Sequence, residues 1–320
     1  MVSPVDTPLP PGDATGDRYV AALSAPAWGY DSSEFLRRRA HGSHHGGSSP
    51  SGSERALWRP HPAPHPTPHP SAPISTGRIT WEPDAISFDL IPASDPGRAL
   101  FRLQKSLPTL IWNAAALEGN TFTLPQVRTL LEGVTVGGKR QAEADQILAL
   151  SEGMDIMVGE VRAGTFALTK ELSDRVHAAI ARHEAIEAGA FRGEGTVVGG
   201  GSVRLAGGGT IGGDPAGAAG ERLITDHQNL LAAVGALPDP RAAALVYFAS
   251  ATRSQFYFDG NKRTARIMMT GALLHAGYEP VSVPYARSEE FNVALDTLFT
   301  TDSATELIEF LTTCAPKSIA

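Results

Sequence analysis

Between Thr264 and His275 the chain is apolar almost all round, with Ile267, Met268, Met269, Ala272, Leu273 and Leu274 distributed over every face of a helix. Such a helix must be enclosed by other elements, so this stretch reads as the buried centre of the fold. Asp259, Gly260 and Asn261 in front of it are turn residues, tolerant of positive φ and suited to a concave run of backbone N–H groups. Lys262, Arg263 and Arg266 then add positive charge where the helix dipole is already positive. A solvated basic cap is the plain alternative. With a buried helix behind the cations, an anion held by loop amides and arginines, a phosphate above all, is the reading that fits.

Bulk properties narrow the partners. A chain of 320 residues has room for one large or two small domains. Its net charge of −7 opposes general binding to nucleic acid or membrane surfaces. One cysteine, Cys314, excludes an internal disulfide framework and multi-cysteine zinc sites. The N-terminus lacks the charged and apolar regions of a signal peptide, and no run is long enough for a membrane span. A cytoplasmic location is the expectation.

Composition changes near residue 75. Residues 1–75 contain a Gly/Ser/His-rich stretch and alternating Pro/His, with six of the chain's ten histidines. Such a segment buries too little to offset its ordering entropy, and a disordered tail is expected, with a short docking helix around Glu34–Arg39. From Arg78 onward the patterns are those of an all-α bundle. Ile79–Trp81 and Ile86–Phe88 suggest short extended pieces. A helix should start at Asp95-Pro96, kink at Pro108 and stop at Gly119. A capping box at Thr123 and Gln126 opens another. Further helices are expected over about 141–161 and 169–186, after Asp239-Pro240, and from a Ser303 cap to about Leu311. Only 195–212 reads as β, a hairpin between Thr196–Val198 and Val203–Leu205 with glycine clusters around it.

Two motifs fail on inspection. Gly133 to Arg140 nearly spells a phosphate-binding P-loop, but Arg140 replaces the metal-holding hydroxyl and a helix precedes it. The glycines at 199–201 and 207–209 do not follow a strand and open a helix. Glu118 is more informative. Placed in the last turn of a helix, its carboxylate faces the negative dipole end at a cost of about 0.3–1 kcal/mol. A cationic partner such as Arg266 or Arg263 would compensate, and a solvated glutamate is the alternative.

The segment Phe256 to Arg266 resembles the active-site loop of the Fic (Fido) family, whose pattern is His-Pro-Phe-x-(Asp/Glu)-Gly-Asn-(Gly/Lys)-Arg-x-x-Arg. Leu117 to Thr121 resembles the core of that family's inhibitory helix, (Ser/Thr)-x-x-x-Glu-(Gly/Asn), in its N-terminal placement. The likeness runs from about Ala99 to Leu311. It implies a Fic-like helical bundle with a small β-hairpin flap, divided into an inhibitory region over 76–165, a core over 166–285 and C-terminal helices over 286–320. The family transfers AMP from ATP to a Ser, Thr or Tyr hydroxyl of a target protein, and a homodimer is among the assemblies the resemblance allows. By that resemblance Asp259 would help hold Mg²⁺, while Gly260, Asn261 and Lys262 would form the anion hole. Arg263 would bind the pyrophosphate portion and Arg266 the terminal phosphate. Glu118 would pair with Arg266 and restrain the site, and the flap would align the target by strand addition.

The decisive departure is Gln255, which stands where the family has its catalytic histidine, followed by Phe256 instead of proline. An amide orients a hydroxyl or water but accepts no proton at physiological pH. Losing a general base costs about 10²–10⁴-fold. Ala114, where the inhibitory pattern has Ser or Thr, is a second departure. Among histidines outside the tail, His227 and His275 could reach the loop only through the fold. The sequence therefore implies a nucleotide-binding Fic-like protein with impaired or altered AMP transfer. A non-catalytic nucleotide sensor or protein-docking regulator is one rival, and a hydrolase in which Gln255 orients water is another. Binding of a nucleic-acid phosphate is opposed by the overall acidity.

Overall fold

A computed structural model of the chain describes residues 72–316. A short hairpin, β1 (Ile74–Thr76) and β2 (Ile79–Trp81), opens this part, followed by the helices α1 (Pro96–Ala116), α2 (Leu124–Leu131), α3 (Gln141–Ala163) and α4 (Lys170–Ala181). A second hairpin, β3 (Ser202–Arg204) and β4 (Thr210–Gly212), precedes α5 (Glu221–Gly235), α6 (Pro240–Ser254), α7 (Asn261–His275), α8 (Ser288–Thr301) and α9 (Thr305–Thr312). Among the described residues the fold is all-α apart from these two antiparallel pairs. Most of the expected tail, including the Glu34–Arg39 stretch, lies outside the described residues. Its last residues do not: Ile74–Thr76 pair with Ile79–Trp81.

The stretch with no polar face is the centre. In α7 only Lys262, Ala272 and His275 escape burial, and α6, α3, α4 and α1 pack around it. Its neighbour α6 is buried continuously from Ala244 to Ser254. Glycine lets these helices approach closely. A Cβ at Gly271 would lie 2.1 Å from the Phe166 ring and 2.8 Å from Met157. A satellite core of Ile111, Phe122, Val127 and Ile147 joins α1, α2 and α3.

Start signals fare well. Asp95 caps α1, whose 21 residues continue through Pro108, and the Thr123/Gln126 capping box begins α2. Four expectations need correction. Ile86–Phe88 is not a strand; Ile86 and Ser87 link two short 3₁₀ turns, the second of which begins at Phe88. Helix α4 stops at Ala181, leaving Ile186 outside it and 71% exposed. Thr196–Val198 is unpaired, and the hairpin forms one glycine cluster later, with Val203 opposite Ile211 and the turn across 205–209. Ser303 does not cap α9, because Thr80 bridges Ser303 and its carbonyl accepts from the Ala304 N–H at 2.8 Å. Helix α5 was not among the expected helices; Leu223, His227, Leu230 and Val234 form its buried stripe.

No helix among the described residues is long and apolar enough to cross a membrane. Because Phe166 and Met157 are themselves buried, Gly271→Val should overpack the α3–α7 contact. A loss of about 1–3 kcal/mol is expected, read as a lower urea midpoint at unchanged m-value.

Candidate functional site

The loop between α6 and α7 is built by main-chain carbonyls and one asparagine. Gln255 ends α6 in the left-handed region (φ 55°, ψ 58°), and Gly260 opens α7 in the same region (φ 71°). Asn261 staples the turn: its Oδ1 accepts from the Tyr257 N–H at 2.8 Å, and its Nδ2 donates to the Tyr257 carbonyl at 2.8 Å and to Gln255 Oε1 at 3.1 Å. Gln255 Nε2 donates to the Thr252 carbonyl at 2.7 Å. Both ends of the Gln255 amide are thus bound inside the loop, and the residue is 7% exposed. Gln255 here completes the staple that shapes the turn.

Beneath the loop lies His177 of α4. Its Nδ1 accepts from the Gly189 N–H at 2.8 Å, so the proton is on Nε2, which donates to the Asp259 carbonyl at 2.9 Å. The ring stacks on Tyr257, centroids 3.8 Å apart and planes 7° from parallel. Tyr257 carries its hydroxyl to Asp174 and Ser173, each at 2.8 Å. This support was not legible in sequence, where His177 and Asp174 lie some eighty positions upstream. Of the histidines that sequence singled out, His227 reaches the loop through the fold, its ring against Phe256 and enclosed by Phe191 and Tyr247, whereas His275 adjoins Phe166.

The cations converge, with partners that differ from expectation. Arg263 is 4% exposed and held by Glu184, with Asp259 at 3.5 Å. Burial opposes its charge, but Glu184 raises its pKa overall. Glu118, just past the end of α1, bonds Lys262 at 3.2 Å. The expected Glu118–Arg266 pair is not formed, because the lysine reaches the carboxylate first. Burial pushes the Glu118 carboxyl up, yet Lys262, Arg266 and Arg263 together hold it below its ordinary value. Arg266 is 9% exposed, and none of its three guanidinium nitrogens has a hydrogen-bond partner. Burial lowers its pKa, and Arg263 beside it adds to the strain. Arg263 and Arg266 line a crevice whose other walls include Leu110, Ala114, Met154 and Val281. Ala114 leaves that wall apolar, as its departure from the Ser or Thr of the inhibitory pattern implies.

Asp259 is the exposed member, its side chain 59% accessible. One of its oxygens accepts from the Gly260 N–H at 2.5 Å, so a carboxylate already sits at the mouth of the helix. Among the described residues no three His, Cys, Asp or Glu side chains are grouped to hold a metal.

No family model matches the chain. It is 26% identical over 210 residues to the protein adenylyltransferase Fic of Drosophila mojavensis and 29% identical over 212 residues to that of Aedes aegypti. These matches take in 65% and 64% of the chain and 40% and 39% of the relatives, so the chain spans about two-fifths of their length. A Fic domain containing signaling protein from Bacteroides thetaiotaomicron superposes with a TM-score of 0.56 at 22% identity, over 71% of this chain and 88% of that one. Fic-1 from C. elegans gives 0.53 at 19% identity, over 68% and 62%. The chain has the fold of these Fic structures and is similar in sequence to Fic adenylyltransferases. Its loop, which resembles theirs, has Gln255 at its head and His177 underneath.

His177 and His227 are both buried, and desolvation drives each pKa down to about 4. Neutral at physiological pH and bonded at both nitrogens, His177 is no substitute base for the Fic loop. Both histidines are neutral in the folded state where the unfolded chain, near 6.5, binds protons. Stability is therefore lost as pH falls from about 6.5 toward 4. Between pH 5 and 6 each should contribute a slope of about 1.4 kcal/mol per pH unit. Because His227 makes no hydrogen bond, His227→Phe should remove one such share, measured as urea stability against pH; an unchanged slope would refute the neutral-histidine assignment.

Proposed function

We propose that this Fic domain binds a nucleoside triphosphate, ATP by analogy with its adenylyltransferase relatives, at the 259–266 loop, and that AMP transfer to a protein hydroxyl is impaired by Gln255. The observation that carries the binding half is Arg266. A guanidinium so buried, with no acceptor, costs several kcal/mol unless an anion joins it. Arg263 lies beside it, and the first amides of α7 have no acceptor within their own helix. Together they suit a polyanion laid across the start of α7.

Within this reading Arg266 takes the terminal phosphate. Arg263 takes the preceding one once Glu184 and Asp259 share it, and Lys262 must first release Glu118. Mg²⁺ fits the donor set: Asp259 offers one exposed carboxylate, and Mg²⁺ commonly uses one or two carboxylates with phosphate oxygens and water. When bound it would neutralise phosphate charge. Glu118 is the restraint, since its carboxylate occupies the cationic pocket that the terminal phosphate needs. The target protein would be aligned on the β3–β4 flap.

The Gln255 amide favours a second reading, a domain that binds nucleotide without transferring it. To act on a hydroxyl or water the amide would have to break from both Thr252 and Asn261. The same engagement weighs against a hydrolase that uses Gln255 to orient water.

Calorimetry with ATP and Mg²⁺ should detect binding, abolished by Arg266→Leu. Glu118→Gly should tighten it on the order of tenfold, because a like charge leaves the phosphate site. Unchanged affinity in the glutamate variant would remove the restraint. With α-labelled ATP, Glu118→Gly alone should leave little label on protein, whereas the Glu118→Gly, Gln255→His double variant should label at least about 10²-fold more. Equal labelling would show that Gln255 is no impediment.

A further inference from the structure

The flap stands on two feet, 199–201 before β3 and 213–214 after β4, and one buried side chain grips both. Arg192 is 3% exposed. Its Nη1 donates to the Gly200 carbonyl at 3.2 Å, its Nη2 to the Asp214 carbonyl at 2.6 Å, and its Nε to the Gln255 carbonyl at 2.6 Å. The two feet are joined by the Gly213 N–H donating to the Gly201 carbonyl at 2.7 Å. Arg192 is itself fixed to the loop, its N–H donating to the Phe256 carbonyl at 2.8 Å while Phe191 stacks on Phe256 at 4.9 Å.

Side-chain-free backbone makes the fit possible. A Cβ at Gly201 would lie 2.4 Å from the Arg192 guanidinium carbon, one at Gly200 2.6 Å from the Phe258 ring, and one at Gly213 2.5 Å from the Gln255 Cβ. Gly200, Gly201 and Gly213 thus lie against Arg192 or a loop side chain. A planar guanidinium donating in three directions suits this junction, whereas an ammonium or amide could not span the same three carbonyls.

The geometry points to Arg192 as a positioning residue that couples the flap to the loop, so that nucleotide at the loop and a strand on the flap each favour the other. The coupling is reciprocal by linkage. It rests on the nucleotide reading above only for what occupies the loop; the mechanical link stands on the carbonyls alone.

Amide hydrogen exchange on the full chain tests both parts separately. Without nucleotide, Arg192→Gln should speed exchange in peptides covering 200–214 and 254–261 together, by about tenfold or more, while α1 and α3 stay unchanged. With ATP and Mg²⁺ the wild type should gain protection in both segments, and Arg192→Gln in the loop alone. Gly201→Ala, which keeps Arg192 but crowds it from the flap side, should loosen 254–261 as well and serves if Arg192→Gln fails to fold. Faster exchange confined to the flap in these variants would overturn the link, as would equal nucleotide-induced protection of the flap in Arg192→Gln. If ATP protects neither segment of the wild type, the nucleotide reading fails, and the nucleotide-free comparison still decides the coupling.

Discussion

A guanidinium buried with every nitrogen unsatisfied dominates the electrostatics of this domain. Arg266 sits in the first turns of a helix whose dipole already repels it, with Arg263 one turn earlier. The nearby anion, Glu118, compensates through space but is hydrogen-bonded to Lys262, and its own Oε1 is left buried without a partner. Two buried, incompletely satisfied opposite charges in one pocket are costly, and this cost is what the proposed anion would relieve. The apolar closure around α7 matters for the same reason: with Ile267, Met268 and Leu273 enclosed, Arg266 is buried against a crevice that it lines.

Much of this was legible. Burial all round fixed α7 as the centre, and the turn residues before it fixed where the cations gather. What sequence could not convey was pairing among charges of similar reach. Lys262 and Arg266 are both plausible partners for Glu118 by spacing, and only the path of the chain beyond α1 selects the lysine. Glu184 was invisible because it follows the end of α4, in a stretch that sequence assigned to the helix itself. His177 lay on an apolar helix face, where a histidine is ordinarily structural; it is structural here, but its structure is the underside of the loop.

Position 255 illustrates how a departure from a pattern acquires a local use. A non-glycine residue at φ 55° is strained unless its surroundings hold it there. Gln255 is held by two side-chain hydrogen bonds, by Arg192 on its carbonyl and by Gly213 against its Cβ. An amide can accept from Asn261 and donate to Thr252 at once, a pairing of roles that suits glutamine well. The group that completes the turn takes up no proton at neutral pH, which is why the proposed AMP transfer would be impaired.

That exchange has a consequence for regulation. In a domain whose loop lacked a competent base, a glutamate restraint would guard nothing but binding. Glu118 nonetheless remains buried among three cations, held below its ordinary pKa by them. Its place in the pocket is explained if occupancy of the site, and not turnover, is what the domain controls. Under that view Glu118 and Arg192 act at opposite ends of one element. Glu118 limits whether a triphosphate enters at the head of α7, and Arg192 carries the loop's response to the flap, where a partner chain would meet it.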